Sequence, residues 1–271
     1  MDEREVIENS PVLVTRQTLL QGLRGLGIQP GHVLLVHSSL SSLGWVAGGA
    51  VAVIEALQDA VSPGGTVAVP THSGGISDPA NWQHPPVPES WWEPIRSNTP
   101  AFNVRLTVPR GMGAIPDTFL RYPDMKRSDH PLHSFAARGP HAERIVAGQR
   151  LDDSLGDGSP LACLYDLEAF VLLLGVGYDS CTMLHLAERR ALGDRQSRTR
   201  TGAPLMQNGV RRWVAFEEPD VRSEDFQLAG GAFEAVHPVA TGRVGKAVAR
   251  LIPVRPLVDF GETWFRANRT A

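Results

Sequence analysis

A histidine with a threonine three residues before it and a glutamate three residues after it is the strongest chemical signal in the chain. In the stretch LLLGVGYDSCTMLHLAE, residues 172–188, an apolar strand passes through a glycine loop into a helix. Thr182, His185 and Glu188 then fall on one side of the first helical turns. A helix N-terminus favours the neutral imidazole over the imidazolium, and the neutral ring is what a general base needs. The same spacing also describes a core histidine on an amphipathic helix. The loop is no dinucleotide fingerprint, because Ser180 stands where the third glycine of GxGxxG would be.

Three further segments carry reactive or charged groups. In VHSSLSSLGWVAGGA, residues 36–50, Ser38, Ser39, Ser41 and Ser42 stand with several glycines between a strand end and a helix start. Hydroxyls and free amides in that position hold phosphate oxygens, although no Walker lysine is present and ordinary N-capping accounts for them equally well. In KRSDHPLHSFAARGP, residues 126–140, Lys126, Arg127, His130 and His133 cluster before a strand. Arg127 and His130 suit an anionic cofactor, and a plain surface cluster is the alternative. His130 with His133 is a poor metal set, since Pro131 between them bars regular helix. In FEEPDVRSED, residues 216–225, Glu217, Glu218, Asp220, Glu224 and Asp225 stand against Arg222. Such a run is either a solvated loop or a seat for a polycation.

The elements that must position these residues alternate between strand and helix. HVLLVH at 32–37 is a buried strand, 48–61 carries Val51, Ile54, Leu57 and Val61 at helical spacing, and TVAVPT at 66–71 is a second strand. From 72 to 114 periodicity lapses among prolines and glycines, yet Trp82, Trp91 and Trp92 lie there, which marks a lid or binding loop. A short helix at 116–121, a strand at 134–137, helices at 141–147 and 160–167, the strand FVLLL at 170–174 and a helix at 182–191 follow. An Arg-rich connection then leads to a strand at 211–217, and two helical stretches end near Phe265. This alternation predicts one α/β domain over residues 1–271, with no internal repeat.

Composition excludes several classes of protein. With 42% hydrophobic and 20% charged residues among 271, the chain has ordinary globular chemistry and enough length for a full core. The 26 basic and 29 acidic residues leave a net charge of -3, which suits neither nucleic acid nor anionic membrane as a partner. The only lysines are Lys126 and Lys246, so the positive charge is nearly all arginine. Two cysteines, Cys163 and Cys181, the polar start MDEREVIENS and the lack of any apolar run of ~20 residues point to a reducing cytoplasm.

In their order and separation these segments resemble the aminoglycoside 3-N-acetyltransferase family, through LLVHSSLSSLGWVAGGA, RSDHP with SFAARGP, LLLGVG with TMLHLAE, and GRVGKAVARLI, over residues 14–265. The resemblance implies an α/β fold with a central, mostly mixed sheet flanked by helices. That fold is distinct from the larger N-acetyltransferase superfamily, whose R/Q-x-x-G-x-G/A loop does not stand out here. It implies acetyl transfer from acetyl-coenzyme A to the 3-amino group of the 2-deoxystreptamine ring, by direct attack in a ternary complex, conferring antibiotic resistance. It also implies no metal, a monomer or homodimer, and a substrate-contacting insertion at about 72–114.

By the same resemblance His185 is the general base and Thr182 steadies the oxyanion. Glu218 orients the imidazole or holds the amine, and Glu217 takes that place if the strand end is displaced by one residue. Asp78, Glu188, Glu217 and Asp220 form the substrate-facing acidic set. His37, Ser38, Ser39, Arg127, His130, Ser134 and Phe135 line the coenzyme site. The alternatives are an acyl-coenzyme A-dependent N-acyltransferase of this fold acting on a different amine, and, from another class, a metal hydrolase built on His130 and His133.

Overall fold

The run VLLVH lacks polar alternation because both faces of its strand are covered. In the computed structural model, which describes residues 3–10 and 12–269, it forms β1 (Val33–Ser38) at the centre of a sheet. Met1, Asp2, Pro11, Thr270 and Ala271 of the expected domain lie outside the described residues. β2 (Thr66–Pro70) follows, then β3 (Lys126–Arg127), β4 (Phe135–Arg138), β5 (Phe170–Leu174), β6 (Arg198–Gln207), β7 (Val210–Pro219), β8 (Ala240–Val244) and β9 (Ala247–Pro253). The main sheet has seven strands in the order β3-β4-β2-β1-β5-β9-β8. β1 lies parallel to β2 and β5, and every other pairing is antiparallel, so the sheet is mixed.

Alternate side chains of the central strands feed two cores, as the two-residue strand repeat requires. Leu34, Val36, Val67, Val69, Leu172 and Leu174 pack beneath the helices Arg16–Gly25, Gly49–Val61 and Ala114–Phe119. Val33, Leu35, Ala68, Val171 and Leu173 pack beneath Pro160–Asp166, Met183–Leu192, Phe226–Val236 and Val254–Asn268. No helix among the described residues is long and apolar enough to cross a membrane.

Two pieces of the sequence reading are corrected here. The Arg-rich connection is β6, which pairs residue for residue with β7 in a separate two-stranded hairpin. Its turn is Asn208-Gly209, both at positive φ (50° and 77°), the combination that matches the twist of paired strands. The stretch GRVGKAVARLI, to which the sequence reading gave no strand, forms β8 and β9, which turn at Gly245, whose φ is 58° and where a Cβ would stand 2.6 Å from the Leu43 carbonyl oxygen. That hairpin adds an antiparallel flank beside β5, which the sequence reading had no strands to supply.

The aperiodic stretch 72–114 contains three short 3-10 turns and one helix, Trp92–Asn98. It is fastened along the β6–β7 hairpin, where the Phe102 amide donates to the Pro204 carbonyl at 2.7 Å and Asn81 donates to the Arg200 carbonyl at 3.0 Å. Arg211 of β7 donates to the carbonyls of Thr99, at 2.9 Å, and of Arg96.

Candidate active site

The parallel trio β2, β1 and β5 ends on one edge, and the chain leaves that edge as His37–Ser39, Thr71–His72 and Gly175–Val176. In open α/β sheets, ligands sit outside these carboxyl ends. Here the edge opens into a cleft of about 1030 Å³ whose walls include His37, Ser38, Ser39, His72, Thr182 and His185. Gly48 and Gly49, both at positive φ, turn the chain into the helix Gly49–Val61, which has no side-chain cap. The Gly49 amide donates to the Val46 carbonyl at 2.9 Å, and the next amides of the first turn, those of Ala50 and Val51, are open to an anion. Ser39, Ser41 and Ser42 bond to one another through their hydroxyls, at 3.3 and 2.9 Å.

His185 stands in the first turn of Met183–Leu192, its amide donating to the Thr182 carbonyl at 3.0 Å. Its Nδ1 lies 2.8 Å from Oε2 of Glu188, which is only 1% exposed. A buried carboxylate there fixes the proton on Nδ1 and leaves Nε2 as the lone-pair nitrogen. Oε1 of Glu188 accepts from Arg269, which also binds Asp225. Thr182 occupies the N-cap position with no side-chain capping bond, so its hydroxyl is not spent on the helix end beside which it lines the cleft.

Four more histidines surround this pair. Burial, with the nearby charge of His185, pushes His37 down to about 3. Burial pushes His130 down to about 3 as well, with His133 adding to the effect. His72 is held well below its ordinary range by burial and by His133, His185, His37 and His130. The His72 and His133 rings meet edge to face at 5.2 Å, and Nε2 of His133 lies 3.3 Å from Glu218. Burial works to raise the Glu218 carboxyl, but His133 and the Ser154 hydroxyl, which donates at 2.9 Å, outweigh it and hold it below its ordinary value.

The structure redistributes the expected site residues. His37, Ser38, Ser39, Thr182 and His185 share the cleft as expected. Glu218 does not contact His185, because strand β7 delivers it to His133 and Ser154; the imidazole's carboxylate is Glu188. Glu188 in turn is no substrate contact, being buried and bound on both oxygens. Glu217 is exposed on the hairpin face, and Asp220 accepts from the hydroxyls of Ser197, at 2.6 Å, and Thr199. Asp78 caps the turn Pro79–Asn81 and pairs with Arg96 at 2.7 Å.

Four residues expected at the coenzyme lie in the wall behind the cleft. Arg127 is a buried strut whose guanidinium donates to Ser134 Oγ at 3.0 Å and to the carbonyls of Thr71 and Thr107 at 2.9 and 2.6 Å, tying the insertion to the sheet. Burial lowers that guanidinium to about 10. Ser134 is consumed by the same network and Phe135 is fully buried against His72. His130 spends Nδ1 on the amides of Leu132 and His133, at 3.1 and 2.9 Å, and its buried Nε2 has no hydrogen-bond partner among the described residues. His72 and Asp179 are among the cleft residues that the sequence reading missed. The first opens an aperiodic stretch and the second sits in a glycine loop, so neither carried a periodic signal.

Residues 35–266 match the family profile described as aminoglycoside 3-N-acetyltransferase. The chain is 46% identical to the SPbeta prophage-derived aminoglycoside N(3')-acetyltransferase-like protein YokD of Bacillus subtilis, over 98% of this chain and 97% of that protein. The crystal structure of that protein superposes with a TM-score of 0.95 at 45% identity, covering 98% of each chain. Aminoglycoside N(3)-acetyltransferase VIII of Streptomyces fradiae is 34% identical over 99% of this chain and 97% of its own length. A structure described as AAC-IIIb binary with CoASH superposes with a TM-score of 0.84 at 29% identity, covering 96% of this chain and 100% of the other.

Proposed function

The chain belongs to the aminoglycoside 3-N-acetyltransferase family, and on that premise we propose that it transfers acetyl from acetyl-coenzyme A to the 3-amino group of a deoxystreptamine aminoglycoside in a ternary complex. The observation that carries the reading is the His185–Glu188 pair on the helix whose N-cap position is Thr182, with His185 and Thr182 both lining the cleft. An ammonium cannot attack a thioester, so the amine first releases one proton to solvent and attacks as the neutral base. Nε2 of His185 takes the proton as the amine nitrogen bonds to the carbonyl carbon, while the Glu188 carboxylate stabilises the imidazolium through Nδ1. Thr182 donates its hydroxyl to the carbonyl oxygen as charge builds there. When the carbon-sulfur bond breaks, the proton on Nε2 passes to the departing thiolate.

The coenzyme fits the other end of the cleft. Ser38, Ser39 and the open amides at the start of Gly49–Val61 offer hydroxyl and N–H donors suited to phosphate and pantetheine oxygens. That a relative is described as binary with CoASH supports the same assignment. Neither cysteine enters the reaction: Cys181 is buried and pushed up to about 12 by burial.

A second acceptor class is favoured by one specific observation. Three of the carboxylates expected to seat a polycation already have partners, Asp78 with Arg96, Asp220 with Ser197 and Thr199, and Asp225 with Arg269, while Glu217 and Glu224 stand exposed outside the cleft. Among the described residues lining the cleft, Asp179 is the one carboxylate. A less highly charged amine would suit such a wall. Thiol release from acetyl-coenzyme A, measured across a panel of deoxystreptamine antibiotics and simple amines with wild type and His185→Ala, tests both readings. Turnover with the antibiotics that disappears in the variant supports the first. Turnover only with other amines replaces it by the second, and antibiotic turnover undiminished in the variant removes the assigned base.

A further inference from the structure

The carboxylate behind the candidate base is itself held by a cation from the far end of the chain. Glu188 uses Oε2 for the Nδ1 proton of His185 and Oε1 for Nη1 of Arg269. Arg269 caps the helix Val254–Asn268, and its side chain is 13% exposed. Its Nε donates to Asp225 Oδ2 at 2.8 Å, its Nη2 donates to Asp225 Oδ1 and to the Arg222 carbonyl, and its guanidinium lies 4.5 Å from the Phe265 ring centre. A planar fork that serves two carboxylates and a carbonyl while lying over an aromatic ring is a task for arginine and not for lysine.

We infer that Arg269 is a positioning residue that sets the base strength of His185, by dividing its positive charge between Glu188 and Asp225. The inference rests on the reading of His185 as the base. Glu188 alone would hold the imidazolium strongly and make His185 slow to release its proton; Arg269 draws part of that negative charge away, and Asp225 restrains how much. The groups facing His185 from the packed elements are Glu188 on its own helix, Arg269 beyond Val254–Asn268, Asp225 at the start of Phe226–Val236, His37 at the end of β1 and His72 after β2. Both of those histidines are kept neutral, and Asp179, which lines the same cleft, is unchanged in the variants below, so changes in the local field at His185 follow the three charged residues. The same arginine binds Arg222 and Asp225 on either side of Ser223, a cleft residue, so it also fixes that wall.

The test uses two variants whose effects have opposite sign. In Arg269→Gln the net charge beside His185 becomes more negative, and the acid limb of the kcat/KM profile for thiol release moves up by about one pH unit. Activity is lost near neutrality and recovered at alkaline pH. In Asp225→Asn the uncompensated guanidinium moves the acid limb down, and Arg269→Lys restores only part of the wild-type profile. The His185 ring-proton signal, followed by NMR against pH, reports the same displacements without any acceptor.

Opposite displacements in the two variants confirm the inference. A pH-independent loss in Arg269→Gln, or ring titrations unmoved in both variants, overturns it. If Arg269→Gln does not fold, the downward displacement in Asp225→Asn decides alone. Silence of the wild type with every amine would overturn the functional reading, while the NMR titrations would still decide what Arg269 does to the imidazole.

Discussion

Replacing Glu188 by Gln separates the two carboxylates that compete for the role of imidazole partner. The pair Nδ1–Oε2 is 2.8 Å apart and the carboxylate is 1% exposed. With charge centres about 4 Å apart and an effective dielectric of about 20, the attraction between carboxylate and imidazolium is about 4 kcal/mol. It exists only once His185 has taken the proton, so its loss appears in the barrier, as about 10³ in rate. A Gln side chain can still accept from Nδ1–H, which reduces the expected loss in kcat to about 10²-fold or somewhat more.

The variant also leaves Arg269 half-paired, and removing one partner of a buried pair costs about 3–5 kcal/mol of stability. Thermal melting should accordingly precede the kinetics and fix a temperature at which the variant is folded. Steady-state thiol release then gives kcat, and calorimetric titration of coenzyme A gives an affinity that stays near wild type, because Glu188 does not line the cleft. A folded Glu188→Gln enzyme retaining a third or more of wild-type kcat refutes the assignment. So does a larger kcat loss in Glu218→Gln than in Glu188→Gln at equal folded fraction.

Glu218→Gln should act mainly on stability, costing about 1–3 kcal/mol through the bonds to His133 and Ser154, and urea denaturation measures it. Because the folded-state Glu218 carboxyl lies below its unfolded value, its contribution is present above the unfolded value and vanishes as pH falls through the folded one. The wild type should therefore lose more stability on acidification below about pH 4.5 than the variant does. His37 and His130 behave in the same direction for a different reason: kept neutral down to about 3 when folded, they protonate only in the unfolded chain as pH falls below 6.5. With His72, which is held down in the same way, they should remove about 3 kcal/mol of stability between about pH 6.5 and 5.5, and His130→Leu should take away about a third of that slope, whatever its effect on absolute stability. Thr182→Val, which keeps shape and removes the donor, should lower kcat by about 10²-fold or more while leaving the melting temperature within a few degrees; an unchanged kcat would show that the oxyanion is held elsewhere.

The elements with strong local signals were legible before any coordinates. Strand Phe170–Leu174 and helices Gly49–Val61 and Met183–Leu192 fall where apolar periodicity put them, because burial on one helical stripe or on both strand faces writes a pattern into consecutive residues. Strands β6, β8 and β9 were missed. Their side chains are partly exposed and often charged, so alternation is weak, and the reliable cue was backbone chemistry at Asn208-Gly209 and Gly245.

Residue types and spacing along 172–188 determined by themselves that Thr182, His185 and Glu188 share a helix face, and that a base-like histidine stands at a helix start beside a strand end. Which carboxylate serves that histidine was decided only in three dimensions. Glu218 and Glu188 both lie within the range of sequence offsets that a sheet or a helix can bring together. The course of β7 carried Glu218 to His133, while the three-residue helical offset laid Glu188 against His185 and the chain's far end supplied Arg269 to hold it. The same holds for Arg127, which composition marks as an anion binder and burial turns into a strut. Charge is a property of the residue, whereas the partner that neutralises it is set by tertiary contacts between segments remote in sequence, and those contacts leave no local periodic trace.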